Sequence, residues 1–332
     1  MRSYTIHMYS VLHSDPSHLK VESIESDKAL ERSRRVCMQD MAIINLTEGC
    51  MFQCLFCGSN RRDLPAGTVR LKSNLPALLE RELLIRRRKG NLPKAIFFNT
   101  ASDSFQPIDS LYQLTFECMR IALENDLDLH FFTRGLVPEE FGDLFREHRG
   151  RIHAQVSVFT MDDKLASLYE PGAAPPQERL ESMRRLSSWD VDVRGRFSPL
   201  IPFLSDTVAH IEELLRYLRS IGVSHTSASY VVLRPHLLDI LESSLPSAHY
   251  HLIKGSFKGQ AWRKIGVNQM TKLLPERTRR KGYERLANIG KRLQMEIEIC
   301  ACGDQPLGSP CLAPSSSQLR DQPAAGQMNL FS

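Results

Sequence analysis

Short apolar runs rich in β-branched and aromatic residues recur along the chain, at Ala42–Asn45, Ala95–Phe98, Leu127–Phe132, Ile152–Val158, Val191–Phe197 and His225–Leu233. Between them lie segments whose apolar positions return at helical spacing, at Leu75–Arg88, Ser110–Asn125, Pro138–Glu147, Pro176–Ser188 and Thr207–Ile221. Strands separated by helices pair in parallel, because each helix carries the chain back to the starting edge of the sheet by a right-handed crossover. The pattern predicts an α/β fold, an open or closed barrel of six parallel strands over residues 41–234. Residues 1–40 read as an irregular or partly helical lead-in. From about Pro235 the alternation stops, and residues 235–311 read as a basic, helix-rich extension with a last short strand at Met295–Ile299. Residues 312–332, rich in Ser, Pro, Ala and Gln, read as a disordered tail, since such a segment buries too little apolar surface to offset its ordering entropy.

Charge adds little to this picture globally and more locally. The net charge of +5 is spread over 332 residues. Basic residues gather at Arg86, Arg87, Arg88, Lys89, then at Lys254, Lys258, Arg263, Lys264, and at Arg277, Arg279, Arg280, Lys281. Each run is either a solvated helix face or a phosphate-binding surface. No apolar run approaches the roughly 18 residues that span a bilayer, so no membrane partner is expected. The N-terminus has no signal pattern, and the expected compartment is the cytoplasm. In that reducing setting the eight cysteines are expected to be ligands or core residues rather than disulfides.

In α/β barrels the reactive groups sit at the carboxyl ends of the strands. After the first strand comes Cys50-Met-Phe-Gln-Cys54-Leu-Phe-Cys57, a C-x3-C-x2-C spacing in a Gly-led loop. Three thiolates on one compact loop cap three irons of a [4Fe–4S] cubane and leave the fourth iron open. A structural zinc site wants four ligands, and a catalytic one usually has His or a carboxylate among three; no His lies in this loop. The open iron can be chelated by S-adenosylmethionine (SAM), whose reductive cleavage yields a 5′-deoxyadenosyl radical.

Here the sequence resembles the radical SAM superfamily, whose fold would be a partial (β/α)6 barrel. It is similar in particular to the spore photoproduct lyase-like branch, through Asn74–Leu84, Thr100-Ala-Ser-Asp-Ser-Phe-Gln-Pro107, Tyr169-Glu-Pro-Gly-Ala173 with Glu178-Arg179-Leu180, and Ser198-Pro-Leu-Ile-Pro202. The resemblance implies that Phe56 packs beside the adenine and that Ser102 and Asp103 face the SAM amino end. It also implies that Arg134, Ser157 and Ser198 reach the SAM carboxylate or ribose, with Arg196 an alternative to Arg134. Two departures stand out. Phe203 occupies a place where relatives often have Gly, and Thr100 falls where the lyase has the cysteine that returns hydrogen to its product. A threonine O–H is far too strong a bond for that task, leaving Cys118 or Tyr112 as substitutes.

A second set, Cys300, Cys302 and Cys311, offers either a further metal or cluster site, with Cys37, His236 or a small molecule as fourth ligand, or inert or redox thiols. The terminal Gln327-Met-Asn-Leu330-Phe331 resembles the peptide by which bacterial DNA-repair and replication proteins dock on the β sliding clamp, though it could also fold back as an apolar plug. Together these features predict a radical SAM enzyme with an external one-electron reductant and DNA as the favoured substrate partner. The alternatives are an enzyme on a small metabolite or peptide, or a non-catalytic, metal-bearing DNA-binding adaptor.

Overall fold

The structure, a computed structural model, describes residues 19–32, 36–38, 41–58, 64–65, 67–265, 269–300 and 307–308. Its strands are β1 (Lys20–Ile24), β2 (Glu31–Arg32), β3 (Met41–Ile44), β4 (Thr47–Glu48), β5 (Thr68–Lys72), β6 (Ala95–Phe98), β7 (Asp128–Thr133), β8 (Ile152–Ser157), β9 (Asp192–Leu200), β10 (His225–Tyr230), β11 (Arg263–Ile265), β12 (Gln269–Thr271) and β13 (Glu296–Ile299). Strands β3, β6, β7, β8, β9 and β10 lie side by side in chain order and all parallel. These are the six strands of the hydrophobic pattern. β13 extends the sheet in parallel beyond β10, and β2 closes the opposite edge antiparallel to β3.

Helices α1 (Leu75–Arg88), α2 (Asp109–Glu124), α3 (Gly142–Glu147), α4 (Asp163–Tyr169), α5 (Pro176–Ser188) and α6 (Val208–Ser220) connect these strands. The amphipathic ones turn their apolar stripe to the sheet: Leu75, Leu79 and Leu83 of α1 are buried at four-residue spacing, and Ile211, Leu214, Leu215 and Leu218 of α6 are buried at helical spacing too. Leu129 and Phe131 of β7 belong to this helix-covered core. Because side chains alternate along a strand, His130 and Phe132 point to the other, inner face of the sheet. Gln155 and Ser157 of β8, Arg194, Arg196 and Ser198 of β9, and Ser227 and Ser229 of β10 share that face. Its polarity is a departure from the usual aliphatic filling of a closed barrel.

Three more helices, α7 (Pro235–Ser244), α8 (Ser247–Ser256) and α9 (Glu276–Arg292), make up the extension, with the β11–β12 hairpin between α8 and α9. An isolated bridge between Leu233 and Lys272 ties that hairpin to the carboxyl end of β10. The described part of the lead-in, expected to be irregular or partly helical, holds short strands beside a single 3₁₀ turn at Val36–Met38: β1 pairs in parallel with β5, some fifty residues away, and with β4 they form a small second sheet. One expectation is corrected. Within the third basic run, Arg279 is not a surface charge: its side chain is buried and its Nε donates to the Leu274 carbonyl 3.0 Å away.

Candidate active site

The cysteine loop leaves the barrel after β3 and is latched at several points. Met51 N–H donates to Gln106 Oε1 (2.8 Å), and Gln106 Nε2 donates to the Asp103 carbonyl (2.8 Å), binding the loop to the segment after β6. Leu55 N–H donates to the Tyr169 carbonyl (2.9 Å) and Gly172 N–H to the Phe52 carbonyl (3.1 Å), binding it to the segment after α4. Gly172 has to be glycine, since a Cβ there would collide with the Met51 carbonyl oxygen. Behind the last ligand, the Arg234 guanidinium fills the space that a side chain at Gly58 would take, with Nη1 almost on the Cβ position.

Burial pushes the Cys50 thiol above its ordinary pKa, with the Asp103 charge adding to it. Burial does the same for Cys54, against the lowering effect of Arg134. Each of these thiols also feels Cys57, so the three sit within electrostatic reach of one another. Among the described residues no three His, Cys, Asp or Glu side chains are gathered tightly enough to hold a single metal ion. A cubane asks for something different, each thiolate on its own iron, and its irons supply the positive charge that a buried set of thiolates needs. The donor set therefore fits a [4Fe–4S] cluster.

The residues carried over by resemblance fall into two groups. Asp103 is buried and its carboxylate is used by the protein itself, accepting from Phe105 N–H (2.9 Å), the Thr133 hydroxyl (2.8 Å) and Arg134 N–H (2.8 Å). Burial still pushes its pKa up despite those donors. Ser102 accepts a hydrogen bond from the Thr47 hydroxyl at 2.7 Å. Burial disfavours the charge on Arg134, but Glu170 more than offsets this and holds its pKa above the ordinary value. Its Nε lies 2.7 Å from Glu170 Oε1, its Nη2 donates to the Ser198 carbonyl (2.6 Å), and its guanidinium lies over the Phe56 ring at 5.4 Å. These residues build the wall behind the cysteine loop.

Ser157, Arg196 and Ser198 form the second group, on the inner face. The Ser157 hydroxyl is buried and has no hydrogen-bond partner among the described residues, the kind of donor and acceptor a ribose or carboxylate would satisfy. Arg196 stacks on Phe132 at 4.2 Å and donates to Gln155 Oε1 (3.2 Å) and the Ser227 hydroxyl (3.3 Å). The Ser198 and Ser229 hydroxyls bond each other at 2.8 Å. Of the two arginines weighed in the sequence, Arg196 is the one on the inner face, while Arg134 is committed to Glu170.

Sequence reasoning missed Glu170, which pairs with both Arg134 and Arg179, the latter at 2.5 Å. It also missed Asn45, whose side-chain oxygen accepts from the backbone N–H of Thr100 (2.9 Å). The signals were the Tyr169-Glu-Pro-Gly-Ala173 motif, to whose glutamate no role was given, and the place of Asn45 at the end of the first predicted strand. Cys118 is buried within α2 and contributes nothing to the site. Cys302, Cys311 and the terminal Gln327, Leu330 and Phe331 lie outside the described residues.

An α/β barrel with a three-cysteine loop after its first strand defines a class of iron–sulfur enzymes that use SAM. The sequence profile of the Radical SAM superfamily matches residues 44–218, just over half of the chain. The chain belongs to that superfamily. It is similar to spore photoproduct lyase complexed with dinucleoside spore photoproduct, with a TM-score of 0.66 and 15% identity over 84% of this chain and 82% of that one. A mutant of that lyase with bound AdoMet and the same dinucleoside gives a TM-score of 0.64 at 15% identity, over 84% and 81%. These likenesses are of fold. In sequence it is 27% identical to the uncharacterized protein ORF301 of Acidianus two-tailed virus over 48% of this chain and 52% of the relative. It is 24% identical to the uncharacterized protein Mb2609c of Mycobacterium bovis, over 63% and 64%. The chain thus spans between half and two thirds of the curated relatives it matches. No helix among the described residues is long and apolar enough to cross a membrane.

Proposed function

We propose that this enzyme takes a hydrogen atom from a nucleobase, damaged or modified, within a polynucleotide. Cys50, Cys54 and Cys57 would hold a [4Fe–4S] cluster, which with an external one-electron donor would supply the reductive cleavage of SAM to methionine and a 5′-deoxyadenosyl radical. The chain's residues supply place and shelter. Gln106, Tyr169 and Gly172 hold the cysteine loop in register with the strand ends. Ser157 and Arg196 offer a hydroxyl and a cation to the SAM ribose and carboxylate, and Gln155, Ser227 and Ser229 offer hydrogen bonds to a polar substrate.

The observation that carries the nucleic-acid reading is the Leu233–Lys272 bridge, which hangs a basic hairpin beside the carboxyl end of β10. Lys258, Arg263 and Lys264 are exposed there, and Lys272 lies over the Trp262 ring at 5.0 Å. Cations interleaved with an aromatic surface suit a strand of phosphates and bases. The likeness to a lyase that binds a dinucleoside photoproduct supports the same reading. Lyase-style return of hydrogen from a thiol has no counterpart among the described residues of this site. Thr100 bonds Asn45 through its hydroxyl, and Cys118 is buried in a helix, so the reaction proposed is not thymine-dimer reversal by that route. The β sliding clamp, reached through Gln327, Leu330 and Phe331, is the partner that would bring the enzyme to DNA.

The decisive experiment incubates the reconstituted enzyme, SAM and dithionite with oligonucleotides deuterated at the base or at the sugar, and with deuterated small metabolites and peptides. Deuterium is expected in 5′-deoxyadenosine from base-labelled DNA. Transfer from a peptide or metabolite instead would overturn the substrate assignment, and absence of 5′-deoxyadenosine with the cluster present would overturn the reaction.

A further inference from the structure

The backbone of Phe203 lies in the left-handed region, at φ 64°. A bulky side chain is disfavoured there, and the other non-glycine residues that share the region among the described ones, Gln53, Asn99, Asp126, Asp190 and Gln294, are all polar. Burial does not compensate, since Phe203 is 63% exposed, more than any other large apolar residue described. Folding therefore gains nothing from an aromatic ring at this position.

The loop is nonetheless built to hold it. Phe203 N–H donates to Asp206 Oδ1 at 2.6 Å, and the Tyr230 hydroxyl donates to Asp206 Oδ2 at 2.7 Å. Arg285 of α9 reaches the same residue, with Nη1 bonded to the Asp206 carbonyl and 3.7 Å from Oδ2. Ile201 N–H donates to Ser205 Oγ at 2.8 Å, and Ser205 is wholly buried. The ring thus stands in water on a fixed mount. It follows β9, whose carboxyl end lies on the same rim of the barrel as the cysteine loop after β3, the strands between them all being parallel.

Cations lead away from this mount. Arg277, Lys281 and Arg285 recur at four-residue spacing on α9 and so lie along one face of it. Arg277 and Lys281 are exposed, and Arg285 keeps 37% of its side chain in solvent. Glu276 is bonded to Arg280 rather than to this stripe. An exposed ring beside a row of cations matches a single nucleic-acid strand, whose bases offer flat π-faces and whose phosphates are anionic.

We propose that Phe203 is the stacking platform for a base of the substrate strand next to the one that enters the barrel, with Arg277, Lys281 and Arg285 along its phosphates. This rests on the nucleic-acid reading above and adds to it the residue that grips the flanking base.

The experiment titrates the reconstituted full chain, with SAM present, with single-stranded oligodeoxynucleotides carrying a fluorescent adenine analogue that is quenched on stacking, at several salt concentrations. Phe203→Gly is expected to weaken binding by about 5- to 150-fold, the range for loss of one stacked base, with less quenching and an unchanged salt dependence because no phosphate contact is lost. Its melting midpoint is expected to hold, since glycine takes this backbone without strain. Phe203→Trp is expected to keep both affinity and quenching. Wild-type affinity in Phe203→Gly, a fall in its melting midpoint alongside the lost binding, or dissociation by that variant of a wild-type dimer would each overturn this proposal alone. A wild type that binds no oligonucleotide would overturn the nucleic-acid reading and this proposal together.

Discussion

Glu170 is 2% exposed and faces two arginines, Arg134 at 2.7 Å and Arg179 at 2.5 Å. A buried ion pair is weak evidence of net stability, but removing one partner strands the others without their counter-charge. Glu170→Gln is therefore expected to cost about 3–5 kcal/mol, read as a fall in denaturant midpoint, and to lower iron retention because Arg134 backs the cysteine loop. His130 makes a different residue-scale prediction. Burial, with His153 stacked on it at 4.5 Å, lowers its pKa to about 3, so it is neutral when folded. Unfolded, it titrates near its ordinary value of 6.5 and binds the extra proton between those two pKa values. Its contribution is thus complete above pH 6.5 and is lost as pH falls toward 3. Denaturation series at about pH 7.5 and about pH 4.5, on either side of the unfolded pKa, are expected to show a larger acid loss in the wild type than in His130→Leu. Equal losses would count against the assignment.

At the scale of elements, the cysteine loop is as rigid as its latches. Gly172→Ala drives a methyl group into the Met51 carbonyl, and Gln106→Leu removes the bonds on the other side. Both are expected to assemble less iron after reconstitution while keeping secondary structure, measured by iron content against circular dichroism. Elements are also where the sequence is most legible. The pattern bounds α1 and α5 to the residue because Pro76 and Pro176 sit in their first turns, a position where a missing N–H is harmless. The six parallel strands stand out as apolar runs. The β1–β5–β4 sheet does not, because strands of two to five residues carry too short a period and their pairing lies far along the chain. α4, seven residues long, escapes the pattern for the same reason, although Asp162 caps it through the N–H groups of Lys164 and Leu165. The site is legible where chemistry is local, at the three cysteines. It is not where a charge is satisfied across the fold, as with Asp103 and Arg134, whose partners no linear pattern names.

For the whole molecule, the placement of charge matters more than its sum. The exposed bases of the β11–β12 hairpin and of α9 (Arg277, Arg280 and Lys281) lie on the extension rather than around the barrel. Arg280 is partly neutralised by Glu276 at 2.8 Å, while Arg263 and Lys264 of the hairpin lie nearer the carboxyl end of β10. Reversing Arg263 and Lys264 to Glu is expected to weaken single-stranded DNA binding and flatten its salt dependence by about 1.4, at roughly 0.7 for each phosphate no longer neutralised. Fluorescence anisotropy at several salt concentrations measures both, and an unchanged slope would remove the hairpin from the interface. Deleting the terminal segment from Gln327 onward is expected to leave that slope intact while abolishing clamp binding.

The occupation of residue 58's side-chain space by Arg234 has a consequence for how this sequence can drift. A side chain at Gly58 takes that space only if the guanidinium, the far end of a flexible side chain, swings aside. What residue 58 tolerates is therefore set by what Arg234 gives up on leaving. A double-mutant cycle reads this as coupling, the effect of Gly58→Ala being smaller on Arg234→Ala than on the wild type.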